Sequence, residues 1–244
     1  MKCAYKKFAK YYDLIYSKKD YALETKFLFN EIKRNKITGK SVLEVGCGTG
    51  GHAVYLKNKK FEITGIDLNK EMLAVARKKS KSIKFLQGDM RNFNLKKKFD
   101  IVLCLFSTMH YNQNYSELKK TLKNYYNHLE KSDLLIFDMG FNRERIKNSK
   151  SVVNHEFNET VDLVRFSKSR LFGNYCYLDM AYMIFKNNKF TYADEVHKMR
   201  IFETLKVKKI LEQIGFKVDL FEYYTSKKWT KISKKYVVFS CVKK

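Results

Sequence analysis

Short apolar runs alternate with helix-spaced apolar residues along the first 140 residues of the chain. An apolar run between turn residues is typical of a strand, whereas apolar residues every three or four positions indicate a helix. The runs predict strands at residues 41–45, 61–66, 83–87, 100–106 and 134–138. Helical spacing predicts helices at 52–58, 70–79 and 116–129, with Asn69 capping the second and Ser116 at the start of the third. This alternation predicts an α/β fold with a parallel sheet and right-handed crossovers.

The flanking segments follow different patterns. Apolar residues at helical spacing predict a helical cap over residues 1–38. Between residues 152 and 202 four β-like runs, at 152–157, 160–168, 175–185 and 190–202, predict an antiparallel insertion. A helix over 205–214, stopped by Gly215, and strands at 216–224 and 236–242 complete the sheet. We therefore expect one domain over residues 1–244, made of the cap (1–38), the cofactor-binding core (39–140), the insertion (150–202) and a final helix with two strands (203–244).

Length and cysteine content narrow the class of protein. A chain of 244 residues suits one domain whose core needs no disulfide or metal ion. We find no run of about 18 apolar residues that would span a membrane, and residues 1–7 lead into no signal-peptide core. Five cysteines without a CxxC pair favour reduced thiols in the cytoplasm. His and Cys do not cluster at zinc-ligand spacing, so we expect no metal site.

The formal net charge of +25 suggests anionic partners. The charge comes mostly from lysine and is spread along the whole chain, with few of the arginines that read bases and clamp phosphates. We therefore expect a general attraction to anionic substrates rather than a dedicated RNA-binding face.

Residues 41–51, SVLEVGCGTGG, combine a strand, a tight glycine turn and the start of a helix. Glycine permits a sharp turn and a close approach of the backbone to a ligand, and the helix start adds unpaired N–H groups at the same place. Gly46, Gly48 and Gly51 satisfy the GxGxxG pattern of dinucleotide-binding proteins, which by itself leaves the cofactor open.

Three carboxylates add to this nucleotide site. Asp67 ends the second predicted strand, where it can accept the hydroxyls of a ribose, and both NAD and S-adenosylmethionine contain one. Asp89 follows the third strand in the segment Gly88-Asp89-Met90, where it can meet an adenine edge. Glu44 lies inside the first strand and needs a partner, such as loop N–H groups or an ammonium group of the ligand.

In these segments the chain resembles the class I S-adenosylmethionine-dependent methyltransferases. Residues 44–50 are similar to their first motif, Asp67 to their ribose acid, residues 88–90 to their adenine motif and residues 99–103 to their fourth strand. The resemblance implies a Rossmann-like, seven-stranded, mostly parallel sheet with helices on both faces and an antiparallel insertion after strand five. An NAD-binding enzyme is the alternative that the glycine pattern permits. With S-adenosylmethionine as cofactor and S-adenosylhomocysteine as product, the implied cofactor site consists of Tyr16, Tyr21, Glu44, Gly46, Cys47, Gly48, Gly50, Asp67, Leu68, Met72, Gly88, Asp89, Met90 and Leu105.

The resemblance extends to a subgroup that methylates small molecules and includes aminosugar N-methyltransferases acting on nucleotide-linked sugars. Residues 12–16, 19–21 and Glu24 look like its N-terminal signature, residues 106–111 occupy its loop after the fourth strand, and residues 195–202 resemble the end of its inserted sheet. Residues 131–133, Lys-Ser-Asp, replace the family's Pro-Gly-Gly turn, which is remote from the chemistry. The subgroup implies methyl transfer to an amine or hydroxyl of a small anionic acceptor, such as a nucleotide-linked sugar or a surface-polysaccharide precursor.

Two other functions compete with this interpretation. One is an RNA methyltransferase with the same cofactor, although the chain contains no proline and so lacks the Asn-Pro-Pro or Pro-Cys loops of base methyltransferases. The other is a binding module without catalytic activity, against which the intact acidic and glycine motifs speak. A homodimer is compatible with the sequence.

Four residues are candidates for the acceptor side of the site. His110 and Tyr111 follow the fourth strand, at the sheet edge where α/β proteins bind ligands. His197 is a candidate general base, with a structural histidine as the competing interpretation. Arg200 is a candidate clamp for a phosphate or carboxylate, with a surface salt bridge as the alternative. By contrast, His52 and His128 are expected to be exposed helix residues.

Overall fold

The computed structural model describes residue 5, residues 8–233 and residues 235–244. Residues 1–4, 6 and 7 of the predicted cap lie outside the described residues. They include Cys3 and most of residues 1–7, which were not expected to lead into a signal peptide. Among the described cysteines, Cys47, Cys104, Cys176 and Cys241 are free and buried.

A central sheet consists of β1 (Ser41–Val45), β2 (Glu62–Asp67), β3 (Lys84–Gln87), β4 (Phe99–Cys104), β5 (Leu129–Met139), β10 (Phe216–Glu222) and β11 (Val237–Lys243). These seven strands follow the order β10-β11-β5-β4-β1-β2-β3. Strands β1 to β5 pair in parallel, and β11 is antiparallel to both of its neighbours. The predicted α/β fold with a mostly parallel sheet is confirmed.

Helices cover both faces of the sheet, and several begin at a side chain that accepts backbone N–H groups. Asn69 caps its helix as predicted, whereas the helix predicted from residue 116 is capped by Asn114 instead of Ser116. No helix among the described residues is long and apolar enough to cross a membrane. The helices are α1 (Tyr12–Ile15), α2 (Tyr21–Arg34), α3 (Gly51–Asn58), α4 (Lys70–Lys79), α5 (Tyr115–Asn127), α6 (Arg143–Lys147) and α7 (Thr204–Ile214), with 3-10 helices at Ala9–Tyr11 and Thr108–Tyr111.

A second, antiparallel sheet confirms the predicted insertion after strand five. It contains β6 (Val152–Asn158), β7 (Val161–Phe172), β8 (Tyr175–Lys186) and β9 (Lys189–Arg200), in that order. Two of its three hairpins turn at residues with positive φ, Gly173 between β7 and β8 and Asn187-Asn188 between β8 and β9. Because strand residues alternate between faces, one face of this sheet packs towards the central sheet and the other points outwards.

The fourth strand is shorter than predicted, because it ends at Cys104 and not at residue 106. Phe106 and Ser107 both have positive φ, which takes them out of the strand. The buried carboxylate of Asp138, at the end of β5, accepts the N–H groups of both residues and the hydroxyl of Tyr224. Asp138 therefore holds a left-handed turn that carries the chain from β4 towards Tyr111.

The apolar core lies on both faces of the central sheet. Along β1, Leu43 and Val45 pack in one cluster and Val42 in the other, as the two-residue period of a strand requires. His52 and His128, which were expected to be exposed, are 5% exposed. The expectation was wrong because His52 lies on the face of α3 that packs against α2, and His128, directly after α5, packs against Phe93.

Candidate active site

A cavity of about 250 Å³ opens at the carboxyl ends of β1, β2 and β4. The chain runs from β1 outwards to β2 and β3 and then returns to β4 on the other side of β1. Such a change of direction leaves a crevice between the loops at the strand ends, where α/β proteins bind ligands. The N-terminal cap and the inner face of the second sheet complete the walls with Tyr5, Tyr12, Tyr16, Lys19, Tyr21, Leu178, His197 and Met199.

The glycine turn forms the wall next to β1. Gly46, Gly48 and Gly50 have φ values of +72°, +56° and +77°, a region that side chains rarely adopt. The N–H groups of Gly46 and Cys47 both donate to the carbonyl of Ile66, at 2.7 and 3.0 Å. This turn is thereby attached to β2. Gly50 initiates α3 and, unlike the other two glycines, is not among the residues that line the cavity.

Asp67 lies at the end of β2 beside the glycine turn. Its Oδ2 accepts the N–H of Gly48 at 2.8 Å, and its Oδ1 accepts the N–H of Asn69 at 2.7 Å. Burial raises the pKa of this carboxyl above its usual value, against the opposing effect of the hydrogen bonds. Leu68 and Met72 line the cavity next to it. The carboxylate is therefore held in one orientation at the cavity wall.

Asp89 also lines the cavity, together with Gly88 and Met90. Its two carboxylate oxygens bind Arg91, from Oδ2 to Nη2 at 2.5 Å and from Oδ1 to Nε at 2.8 Å. These hydrogen bonds hold the pKa of Asp89 below its usual value. The negative charge at this position is thus balanced within the protein.

Glu44 has a partner inside the protein that the sequence did not reveal. Its Oε1 lies 3.4 Å from Nδ1 of His52, whose Nε2 lies 2.5 Å from Oε2 of Glu24. Lys19, on the N-terminal cap, makes a further ion pair with Glu24. The ring of Tyr21 packs edge-on against His52, with 4.8 Å between centroids. These contacts join the cap to the cofactor loop.

On the opposite wall the structure brings together Tyr111 and His197, which are 86 positions apart. The Tyr111 hydroxyl lies 2.7 Å from Nδ1 of His197. Burial raises the pKa of Tyr111 well above its usual value, so its hydroxyl stays protonated and shares a hydrogen bond with the imidazole. Nε2 of His197 lies 3.1 Å from Oε1 of Glu195 at an angle that is not a hydrogen bond.

His110 occupies a structural position. Its Nδ1 donates to the carbonyl of Arg200 at 2.7 Å, and its Nε2 accepts the N–H of Phe141 at 3.3 Å. Burial lowers the pKa of His110 to about 4, so the ring is neutral. Neither nitrogen remains for an acceptor, and His110 does not line the cavity. The structure therefore contradicts the expectation for His110, because the 3-10 helix turns its ring away from Tyr111.

Arg200 also lies away from the cavity. On β9 the cavity-lining residues are His197 and Met199, so Lys198 and Arg200 point to the opposite face of the sheet. The guanidinium of Arg200 lies 5.1 Å from the ring centroid of Tyr175. The expectation that Arg200 clamps the acceptor is therefore contradicted by the alternation of side chains along the strand.

Most of the residues selected from the sequence do border this one cavity. Sequence reasoning did not select Lys19, His52, Leu178, Met199 or Tyr236, which line it as well. Their positions depend on contacts between distant segments, and only the motif that contains Lys19 gave a local signal. The selected residues that line the cavity are Tyr16, Tyr21, Glu44, Gly46, Cys47, Gly48, Asp67, Leu68, Met72, Gly88, Asp89, Met90, Leu105, Tyr111 and His197.

Comparison with known proteins agrees with this geometry. Residues 42–132 match a family described as a methyltransferase domain. The chain is 28% identical over 217 residues to a dTDP-3-amino-3,4,6-trideoxy-alpha-D-glucopyranose N,N-dimethyltransferase of Streptomyces venezuelae, covering 86% of this chain and 90% of that protein. It is 27% identical over 221 residues to the putative methyltransferase YqeM of Bacillus subtilis, covering 88% and 87%.

Solved structures show the same fold over almost the whole chain. A sugar N-methyltransferase, KedS8 from Streptoalloteichus, superposes with a TM-score of 0.84 at 23% identity, over 96% of this chain and 92% of that one. An S-adenosylmethionine-dependent methyltransferase from Clostridium acetobutylicum superposes with a TM-score of 0.82 at 23% identity, over 98% of both chains.

Domain match, fold and site together define a class I S-adenosylmethionine-dependent methyltransferase. Residues 42–132 match the methyltransferase-domain family, and the relatives of the chain include N,N-dimethyltransferases of amino sugars. This result confirms the resemblance seen in the sequence and sets aside the NAD-binding alternative.

Proposed function

We propose that the chain transfers a methyl group from S-adenosylmethionine to the amino group of a small nucleotide-linked sugar. The observation that carries the proposal is that one cavity borders both the glycine turn with Asp67 and the hydrogen-bonded pair Tyr111–His197. Relatives named as dTDP-amino-sugar N,N-dimethyltransferases align with 86% of the chain and support an amino-sugar acceptor. A surface-polysaccharide precursor of this chemistry would meet the same requirements.

The residues at the glycine turn fit the cofactor. Oε2 of Glu44 is buried without a hydrogen-bond partner although the residue borders the cavity, and an α-ammonium would supply the missing donor. Asp67 would accept the ribose hydroxyls, and Leu68, Met72 and Met90 would contact the adenine. When bound, the cofactor supplies a methyl group on a sulfonium with a neutral leaving group.

Tyr111 and His197 would handle the proton of the acceptor amine. An amine attacks through its lone pair, so a protonated amine must first lose a proton. In the tautomer of His197 that is protonated on Nε2, the Tyr111 hydroxyl donates to Nδ1 across the 2.7 Å contact, and the phenolic oxygen can take the amine proton as it passes its own to the imidazole. Glu195, 3.1 Å from Nε2, would stabilise the resulting imidazolium. Holding the amine in line with the methyl group supplies the remaining acceleration.

The charge and thiols of the chain agree with this proposal. A nucleotide diphosphate is anionic, which matches the net charge of +25. The free, buried thiols of the described cysteines suit a reducing compartment, and we infer a cytoplasmic enzyme.

Cofactor binding is the first test. Calorimetry with S-adenosylhomocysteine should show binding to the wild type and a loss of roughly 10- to 100-fold for Asp67→Asn, since a hydrogen-bonded charge is removed. Asp100→Asn is the matched control. Asp100 lies at the start of β4, at the opposite edge of the sheet, where its carboxylate accepts hydrogen bonds from Ser41. A wild-type protein that binds no S-adenosylhomocysteine would overturn the cofactor assignment.

Methyl transfer is the second test. Mass spectrometry should detect methylation of a dTDP-amino sugar but not of the matching hydroxy sugar. Tyr111→Phe and His197→Gln should each lower kcat about 100-fold with little change in affinity for S-adenosylhomocysteine. Transfer to the hydroxy sugar alone would count against an amine acceptor, and unchanged kcat in both variants would remove the proposed proton path.

We further propose that two copies associate through the outer face of the second sheet. Phe157, Phe190 and Tyr192 on this face are 70%, 59% and 71% exposed. At roughly 200 Å² per aromatic side chain they expose roughly 400 Å², and a stable interface buries about 800 Å² per partner. Further exposed apolar residues enlarge the patch, namely Val153, Phe166, Met183, Phe185 and Val196. Such a patch exceeds what monomers usually expose.

Charges of both signs on this face suit a second copy as the partner. The pairing register sets Asp162, Asp179 and Asp194 on the same face as the apolar residues, together with Lys168, Arg170, Lys198 and Arg200. In a two-fold dimer, carboxylates of one copy can therefore face lysines and arginines of the other. Sedimentation velocity should show a dimer for the wild type and for the exposed-site control Ile232→Lys. The double variant Phe190→Lys and Tyr192→Lys should be monomeric. A monomeric wild type, or a dimeric double variant, would contradict the proposal.

A further inference from the structure

His52 stands in the middle of a buried chain of alternating charges. Its Nε2 lies 2.5 Å from Oε2 of Glu24, and its Nδ1 lies 3.4 Å from Oε1 of Glu44. Glu24 also pairs with Lys19. His52, Glu24 and Glu44 are all buried, and the side chain of Lys19 is only 7% exposed. The order from the cap to β1 is therefore cation, anion, histidine, anion.

The contacts favour the imidazolium form of His52. Burial alone would lower its pKa, but hydrogen bonds and charges from Glu24 and Glu44 outweigh burial and raise it. Burial alone would raise the pKa of Glu24, and its contacts with His52 and Lys19 lower it instead. A neutral imidazole has one N–H and can donate to one carboxylate, whereas an imidazolium donates to both.

The last member of the chain has an unused acceptor. Glu44 borders the cavity, and its Oε1 faces His52, while its Oε2 is buried with no hydrogen-bond partner. A buried carboxylate oxygen without a donor is costly, so the site is complementary to a ligand that brings a cation or N–H groups. Because His52 holds one oxygen, the other oxygen is left for that ligand.

We propose that His52 is a positioning residue that orients Glu44 to recognise the α-ammonium at the amino-acid end of the cofactor. The inference rests on the proposed function. His52 should therefore have a selective effect on affinity. The binding of ligands that carry the amino-acid tail depends on His52, and the binding of ligands that carry only the nucleoside does not. General loss of structure would weaken both kinds of ligand.

The experiment compares two ligands by calorimetry, S-adenosylhomocysteine and 5′-methylthioadenosine, which keeps the nucleoside and lacks the amino-acid tail. His52→Gln should weaken S-adenosylhomocysteine by roughly 10- to 100-fold, the effect of a hydrogen bond to a charged group. It should change the affinity for 5′-methylthioadenosine less than about twofold, within ordinary scatter. Glu44→Gln should show the same selectivity.

His128→Gln is the matched control. His128 is also a buried helix-end histidine, but its ring contacts the carbonyl of Asn124 and the N–H of Leu95, and it does not line the cavity. It should leave both affinities unchanged. Should His52→Gln fail to fold, Glu24→Gln replaces it, since it releases the imidazole ring without removing it and should show the same selective loss.

Each outcome decides between the claims. A wild type that binds neither ligand defeats the proposed function and the inference with it. Suppose instead that the wild type binds both ligands, and that His52→Gln or Glu24→Gln weakens the binding of both equally or of neither. That result defeats the inference and leaves the proposed function standing. Selective loss of S-adenosylhomocysteine in the variant and not in the control supports it.

Discussion

Alanine substitutions at Gly46 and Gly48 should separate backbone strain from steric overlap within the glycine turn. Both residues are left-handed, with φ of +72° and +56°. A Cβ at Gly46 would lie 2.5 Å from Cγ2 of Thr108, whereas a Cβ at Gly48 would meet only Cε of Met72, at 3.4 Å. The second contact is ordinary and involves the end of a flexible side chain. The first contact requires the side chain of Thr108, at the start of the 3-10 helix, to move.

The geometry sets the expected size of each effect. A left-handed alanine costs about 1–2 kcal/mol at either position, and overpacking adds about 1–3 kcal/mol at Gly46. Gly48→Ala should therefore cost about 1–2 kcal/mol and Gly46→Ala about 2–5 kcal/mol. For a chain of this size, 1 kcal/mol corresponds to roughly 2–4 °C in Tm. The Tm should therefore fall by roughly 2–8 °C in Gly48→Ala and by roughly 4–20 °C in Gly46→Ala.

Differential scanning calorimetry measures both values against Gly173→Ala. Gly173 has φ of +53° and no atom within 4 Å of an added Cβ, so its substitution adds strain without overlap. We expect Gly48→Ala to match this control in Tm and Gly46→Ala to fall clearly below both. Equal losses at Gly46 and Gly48 would refute the steric reasoning. Only Gly46→Ala and Gly48→Ala should weaken the binding of S-adenosylhomocysteine, because Gly46 and Gly48 line the cavity.

Three further predictions concern stability, measured by denaturant titration. Because the pKa of His110 falls from 6.5 to about 4 on folding, its neutral ring stabilises the protein fully above pH 6.5 and progressively less as the pH falls towards 4. Between pH 6.5 and pH 4 the free energy of unfolding should fall by about 1 kcal/mol per pH unit more in the wild type than in His110→Gln. Parallel pH profiles of the free energy of unfolding in the two proteins would contradict this. Asp138→Ala should cost about 3 kcal/mol because two backbone N–H groups and the buried hydroxyl of Tyr224 lose their acceptor, and an unchanged midpoint would show that they find another. Asn114→Ala should cost about 1 kcal/mol as a lost helix cap, and an equal loss in Ser116→Ala would contradict the role of Asn114 as the cap.

The cofactor side of the site was predictable because its signals are local. The strand, glycine turn and helix of residues 41–58 form one continuous unit, and Asp67 ends the next strand. Parallel strands bring their carboxyl ends to one edge of a sheet, so strand-end residues meet there whatever the details of packing. The same rule identified Tyr111 as a residue that follows β4 and lines the cavity.

The acceptor side was less predictable because it depends on which face each side chain takes. His110 and Tyr111 are neighbours in sequence, but only Tyr111 borders the cavity. Along β9 a shift of one residue separates Met199, which lines the cavity, from Arg200, which does not. A shift of one position moves a side chain to the other face of a strand. The sequence alone does not fix the register of β9, so it does not specify which of its side chains face the cavity.

By itself, the sequence determined the α/β class, the parallel sheet with its glycine turn and the acidic residues beside that turn. These features follow from hydrophobic periodicity and from spacing within short segments. Only the tertiary structure decided that His52 is buried between Glu24 and Glu44, and that Tyr111 binds His197 across 86 positions. Such pairs form when separate segments pack together. Their geometry is therefore a property of the folded core, in which burial forces each polar group to find a partner.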